Sequence, residues 1–372
     1  MDFGIVDGHC HIFPPLAGAS GFPDVATHRL HQQRAMHMHG NQPYRRLRDH
    51  ALVTERMLWN PDDPSEAGRA TDVTFSPDRH GRVGWEKDGE RYYVQFLPPY
   101  MTDLSAPAET IVAQMDYAGI ATSILQNDHI YGNLAEDFAA AGRAYPGRFI
   151  GLAQVEEAFA WRDDQIAALH RQVSQLGMAG LYFTTTGMFR SGFTPLHDDR
   201  AYDPFWREVE KLDLPVWWVQ SARSPVGDYA DEMRCMANIS ERFPGLRHVL
   251  VHGVPTSVFA DEADRIALPD ILTSLLKGGR VWSELLYPIA WGGRHEYPYP
   301  KARVHFRQLF DAFGPDRFVW GSDMPNVERY CTYRQSLTYA WNHFEFLDDA
   351  ARRKIFRENA LSLFHRPPIL GA

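Results

Sequence analysis

Phe3-Gly4-Ile5-Val6 is a short apolar run that leads into Asp7-Gly8-His9-Cys10-His11. An apolar run of this length without helical periodicity reads as a buried strand of the kind found in parallel sheets. From residue 108 onward such runs return at regular intervals, at 121–126, 149–155, 179–184, 215–220, 247–252, 281–285 and 317–321. Between and after them lie stretches with apolar residues at helical spacing, at 109–118, 134–145, 162–176, 203–212, 229–243, 266–276, 303–313, 333–346 and 348–364. Gly119, Pro146-Gly147 and Gly177 punctuate the ends of three of these helices, as helix C-caps require. With the N-terminal run included, eight strands alternate with helical material, the signature of an α/β chain folded as a (β/α)8 TIM barrel. In that architecture the C-terminal strand ends gather at one mouth, and His9, His11, Gln220, His252 and Asp323 all fall at such ends.

Residues 12–106 interrupt this rhythm and carry Pro14-Pro15, Pro23, Pro43, Pro61 and Pro64 along with His28, His31, His37 and His39. A segment of this length inside a compact fold is either functional or an accessory substructure. Within it, Asp88-Gly89 sits between aromatic and β-branched residues, a strong hairpin signal. The expectation is a small accessory β-ribbon inserted after strand one and flanking the mouth, with residues 1–372 forming one domain. His37-Met38-His39 repeats the His-x-His spacing without a preceding apolar strand and reads as a loop coincidence.

Composition narrows the function classes. Hydrophobic residues make up 44% and charged residues 23%, ordinary values for a globular protein with a sizeable core. The formal net charge is -9 and no long Lys/Arg run is present, which argues against a nucleic-acid partner. Cys10, Cys235 and Cys331 are too widely spaced for a disulfide framework or a Cys-x-x-Cys site and suit a reducing compartment. Neither a signal peptide nor a bilayer-spanning apolar run is apparent, so the expected location is the cytosol, away from membranes. Aromatic residues reach 13%, including 10 Trp, among them Trp217 and Trp218; they suit a deep pocket and a homodimer interface.

Side chains alternate along a strand, so His9 and His11 point the same way and form half of a transition-metal site. Taken alone, one packed and one exposed histidine would give the same pattern. His252, after Val249-Leu250-Val251, and Asp323, in Gly321-Ser322-Asp323-Met324-Pro325, sharpen it, because parallel strands bring all four groups to one face. Glu284, inside Trp282-Ser283-Glu284-Leu285-Leu286, is an ionisable group in an apolar run, either functional in the barrel interior or paired structurally. Arg91, Arg223, Arg294 and Arg329 lie in segments expected around the mouth, where a guanidinium can clamp a carboxylate through two hydrogen bonds.

Together with Val6-Asp7-Gly8-His9-Cys10-His11, the stretches Met115-Asp116-Tyr117-Ala118-Gly119-Ile120, Pro146-Gly147-Arg148-Phe149, Phe243-Pro244-Gly245-Leu246, His252-Gly253, Gly321-Ser322-Asp323-Met324-Pro325 and Glu358-Asn359-Ala360 carry a resemblance. The chain resembles the amidohydrolase superfamily, in the branch of α-amino-β-carboxymuconate-semialdehyde decarboxylase and the resorcylate-type decarboxylases. The resemblance implies one divalent metal ion and no organic cofactor. It assigns His9, His11 and Asp323 as ligands, with a further ligand at the end of strand five, where this chain has Gln220 in place of histidine. A glutamine oxygen ligates weakly or indirectly; Zn2+ is the first expectation, and the harder ligand brings in Mn2+ or Mg2+ as alternatives. His252 matches the family's strand-six acid/base histidine, and Asp323 doubles as proton acceptor. Tyr93 stands where the family's ribbon arginine binds substrate carboxylate, with Arg91 two residues earlier. The implied activity is a carboxy-lyase acting on a small aromatic or unsaturated carboxylic acid. Alternatives are a metal-dependent hydrolase of an amide, ester or lactone, and a non-catalytic binding barrel with a degraded metal site. Trp218, Arg223, Glu284 and Arg294 complete the expected substrate-binding set.

Overall fold

Buried, β-branched-rich runs supply the strands. The computed structural model describes residues 3–39, 42–220, 225–286 and 296–365. Strand β1 (Ile5–Cys10) is followed by helix α1 (Val25–Met38) and by β2 (Tyr44–Arg46), β3 (Leu52–Val53), β4 (Thr74–Pro77), β5 (Arg82–Lys87) and β6 (Glu90–Gln95). Regular alternation then brings α2 (Ala108–Ala118), β7 (Ile120–Leu125), α3 (Ala135–Ala144), β8 (Phe149–Ala153), α4 (Asp163–Ser174), β9 (Gly180–Thr184), α5 (Asp203–Lys211), β10 (Val216–Val219), α6 (Tyr229–Arg242), β11 (His248–Leu250), β12 (Val281–Leu285) and β13 (Phe318–Trp320). The sheet order β1-β7-β8-β9-β10-β11-β12-β13 is that of the eightfold alternation, and every pairing in it is parallel. At the mouth the last strand returns to the first: a parallel bridge joins Cys10 to Met324. The His11 N–H donates to the Met324 carbonyl at 2.8 Å and the Asp323 N–H to the His9 carbonyl at 2.8 Å. The expected (β/α)8 barrel is the fold observed.

Strand alternation divides the core in two. Val6, Ile124, Ile150, Trp217, Val249 and Val319 share one cluster that also takes in Phe364, whose ring stacks on Trp217 at 5.7 Å. The neighbouring Trp218 points the opposite way, into the layer between strands and helices, against Phe183 and Trp206. Its Nε1 donates to His248 Nδ1 at 2.7 Å. Trp218 is therefore a packing residue and not the substrate-lining one expected from its place near a strand end. The physical reason is parity: a one-residue step moves a side chain to the other face.

The insertion is larger than a ribbon. The Asp88-Gly89 hairpin forms as expected, joining β5 and β6 through two residues with positive φ (52° and 76°). It belongs to a five-stranded antiparallel sheet of order β3-β2-β6-β5-β4, and α1 precedes that sheet. The inward face of α1 includes His28, His31, Gln32, Gln33 and Arg34 as well as Leu30 and Met36, so no apolar stripe announces it. Asp24 caps its start by accepting from the Thr27 N–H at 2.7 Å. His37-Met38-His39 is thus the end of a helix and not a loop: His37 and Met38 lie in its last turn, and His39 is its C-cap.

Gly8 marks the tightest part of the β1–β13 seam, where an added Cβ would meet Val319 Cγ1 at 2.6 Å and the Trp320 carbonyl oxygen at 2.9 Å. Gly8→Val should destabilise the fold by about 1–3 kcal/mol through overpacking, read as a lower urea midpoint. An unchanged midpoint would contradict this account of the seam.

Candidate metal centre

Barrel closure places three ligand atoms in a triangle. His9 Nε2 lies 3.1 Å from His11 Nε2, His11 Nε2 lies 3.1 Å from Asp323 Oδ1, and His9 Nε2 lies 3.5 Å from the same oxygen. Two atoms bound to one ion at about 2.0–2.1 Å stand about 3.4 Å apart in tetrahedral geometry and about 2.9 Å apart in octahedral geometry. The observed edges of 3.1, 3.1 and 3.5 Å lie close to that range. Each imidazole also has its other nitrogen engaged: His9 Nδ1 lies 2.8 Å from Glu284 Oε2, and His11 Nδ1 lies 2.9 Å from the Gln126 carbonyl oxygen. Acceptors at both Nδ1 atoms hold the protons there and turn the Nε2 lone pairs toward the shared point. The residues present fit a divalent cation.

The charges agree with the geometry. Burial alone would push the His9 imidazole down, but Glu284 and then Asp323 outweigh it and hold its pKa at about 9. Burial likewise works against the Asp323 carboxylate, yet His9 and His11 keep it well below the usual carboxylate range. A buried site that draws a proton this strongly is one in which a cation is favoured.

Surrounding groups hold the triangle. Asp7 Oδ1 accepts from the His9 N–H at 3.0 Å and the Ser322 N–H at 2.9 Å; Oδ2 accepts from Ser322 Oγ at 2.5 Å and the Tyr333 hydroxyl at 2.6 Å. Burial pushes the Asp7 carboxyl up to about 6 despite these bonds. Asn326 Nδ2 donates to Asp323 Oδ1 at 2.7 Å and to the Tyr131 hydroxyl at 2.6 Å. Gln126 Nε2 donates to Glu284 Oε1 at 2.7 Å and to the Gly8 carbonyl at 3.0 Å. The second Glu284 oxygen takes the His252 backbone N–H at 2.8 Å as well as His9. Glu284 thus faces the barrel interior and joins the first strand to the sixth.

His252 stands at the open side. Its ring is exposed, 5.2 Å from that of His9, and ligand atoms of His9, His252 and Asp323 lie within 4.8 Å of one another. His252 and Asp323 both have left-handed backbone, φ 62° and φ 60°, a conformation that costs a side-chain-bearing residue about 1 kcal/mol or more. Crowding by protein pushes the His252 imidazole down, and the charge of His9 adds to this.

Arg91 and Tyr93, expected at the mouth, take partners within and beside the accessory sheet. Arg91 is exposed on β6 and pairs with Asp78 at 3.7 Å. Tyr93 is buried in the same sheet, with its hydroxyl 3.0 Å from His50 Nδ1 and the Arg82 guanidinium 4.5 Å from its ring. Gln220 directly follows β10 and is half-buried at its C-terminal end. Arg223 and Arg294 lie outside the described residues. Sequence reading missed Gln126, Tyr131 and Asn326. Gln126 alone had a visible signal, as a polar residue closing an apolar strand.

An amidohydrolase family model matches residues 6–366. The chain belongs to the amidohydrolase family. It is 28% identical over 254 residues to a gamma-resorcylate decarboxylase of Rhodococcus jostii strain RHA1, covering 59% of this chain and 71% of that one. A gamma-resorcylate decarboxylase of Polaromonas sp. strain JS666 is 25% identical over 293 residues, covering 70% and 81%. Among solved structures, an uncharacterised TIM-barrel protein from Bordetella bronchiseptica superposes with a TM-score of 0.54 at 18% identity, over 97% of this chain and 98% of that one. The protein is an enzyme of this family, and its fold is shared over nearly the whole length.

Glu284→Gln keeps the shape but removes the charge behind His9 Nδ1. It should weaken metal binding by about 10–100-fold, measured by titration against a chromophoric chelator. Unchanged affinity would mean that Glu284 does not support His9.

Proposed function

We propose that the protein is a metal-dependent carboxy-lyase that removes CO2 without oxidation from a small aromatic or unsaturated carboxylic acid. The observation that carries this reading is the complete His9, His11, Asp323 triangle in a chain 25–28% identical to two gamma-resorcylate decarboxylases. The intact triangle also speaks against a degraded, purely binding barrel.

His9, His11 and Asp323 would hold one divalent ion, with Gln220 as a weak or indirect partner; Zn2+ is the first choice, Mn2+ or Mg2+ the alternatives. When bound, the ion supplies positive charge to the substrate's oxygens and requires no organic cofactor. When the bond to the carboxyl carbon breaks, its electron pair stays on the substrate carbon and CO2 leaves, so a proton must arrive at that carbon. His252 is placed for this task at the open side of the triangle, where its imidazolium form would deliver the proton. Asp323, held well below the usual carboxylate range, is a weak base and serves chiefly as a ligand.

The reading includes a small-molecule acid as the partner, with no part for nucleic acid, and a homodimer in the cytosol. Among the described residues, no helix is long and apolar enough to cross a membrane.

With gamma-resorcylate as the first substrate assayed, His252→Asn should lower kcat by about 10²–10⁴-fold while metal content stays at the wild-type level. Unchanged kcat with metal intact would exclude His252 as the proton donor. Loss of metal would make it a ligand instead.

A further inference from the structure

A buried hydroxyl beside the metal centre has a proton to spare. Tyr131 lies in the segment between β7 and α3, and its ring is 4.5 Å from that of His11. Phe13 stacks on this ring at 4.5 Å and Phe96 at 6.1 Å. Phe13 comes from the segment after β1 and Phe96 from the segment after β6, so barrel and accessory sheet fix the phenol together. His252 takes another edge of the same centre, with its ring 5.2 Å from His9.

The hydrogen bonds around Tyr131 leave its proton unused. Asn326 Nδ2 donates to Asp323 Oδ1 at 2.7 Å and to the Tyr131 hydroxyl oxygen at 2.6 Å. A carboxylate only accepts, so the amide nitrogen must face Asp323, and both of its hydrogens are then spent. The phenol oxygen is therefore an acceptor toward Asn326, and its own O–H remains to donate. Among the described residues no group accepts that proton. The amide oxygen of Asn326 is also buried without a partner. Tyr131 and Asn326 are each 4% exposed. Buried polar groups are normally paired, so an unused donor in this setting points to a bound molecule. Only two hydrogen bonds separate the donor from Asp323 Oδ1, a corner of the ligand triangle. A molecule held at the triangle is thus within its reach.

We propose that Tyr131 binds the substrate, its hydroxyl donating to an oxygen of the acid held at the His9, His11, Asp323 triangle. Asn326 is the positioning residue that ties the phenol to the ligand Asp323. Tyr131 keeps its proton throughout, and delivery of a proton to carbon stays with His252. That the partner is an acid rests on the carboxy-lyase reading; that Tyr131 faces it rests on the unused O–H.

Calorimetric titration of the Zn2+-loaded protein with benzoate tests this. Tyr131→Phe keeps the ring and its stacking and removes only the hydroxyl. At saturating Zn2+ it should bind benzoate about 10–100-fold more weakly than wild type, the value of one hydrogen bond to a charged acceptor. Asn326→Ala should weaken benzoate by a smaller factor, and that effect should vanish when it is added to Tyr131→Phe. A merely structural tyrosine would leave benzoate affinity unchanged at saturating Zn2+, and this outcome overturns the proposal. So does a Zn2+-loaded wild type that binds no benzoate. An Asn326→Ala effect that persists in full beside Tyr131→Phe overturns the role given to Asn326. Should Tyr131→Phe fail to fold, 3-fluorotyrosine at position 131, a stronger donor, should tighten benzoate binding; equal or weaker binding overturns the proposal. Tyr131-dependent benzoate binding without CO2 release from a panel of aromatic acids sinks the carboxy-lyase reading and leaves Tyr131 as an acid-binding residue. CO2 release with benzoate affinity and kcat/KM unchanged in Tyr131→Phe sinks the Tyr131 proposal alone.

Discussion

The barrel closes on its own candidate metal centre. The two hydrogen bonds that return the eighth strand to the first use the backbones of His9 and Asp323 and of His11 and Met324. His9 and His11 therefore share one local backbone frame with Asp323, which lies 312 residues beyond His11 in the chain. The Asp7 carboxylate adds a third tie, reaching across to Ser322 and Tyr333 while it accepts from the His9 N–H. Fold stability and site geometry cannot be varied independently here: a shift of the seam moves the triangle.

That arrangement carries an electrostatic cost. Asp7, Glu284 and Asp323 are all buried within a few ångströms of His9. Without a cation, the proton on His9 balances part of this charge, which is why its pKa stands near 9 although burial opposes it. Replacing that proton by a divalent ion relieves the same field more completely. Left-handed backbone at His252 and Asp323 belongs to the same economy, since strain at strand ends turns these side chains toward the shared point.

Much of this is legible in the sequence, and the failures have physical causes. Alternating apolar runs show the barrel because strands buried on both faces are apolar throughout. The same continuity hides which face each residue takes. Trp217 and Trp218 look alike in the chain, yet one fills the interior cluster and the other the helix layer. Glu284 has the same ambiguity, resolved only by the fixed positions of Gln126 and His9. Helix α1 is invisible because its buried face is polar, and with it goes the placement of His39. For Arg91 and Tyr93 the family analogy implies a free ribbon at the mouth, but here that ribbon is part of a full sheet in which both find partners.

The central claim is that His9, His11 and Asp323 hold one divalent ion. Metal analysis by inductively coupled plasma mass spectrometry on purified protein and on the His9→Ala/His11→Ala variant tests it most directly. The account predicts about one ion per chain in the wild type and none in the folded variant. Stoichiometric metal in that variant, or a wild type that stays metal-free after incubation with Zn2+, Mn2+ and Mg2+, would contradict it.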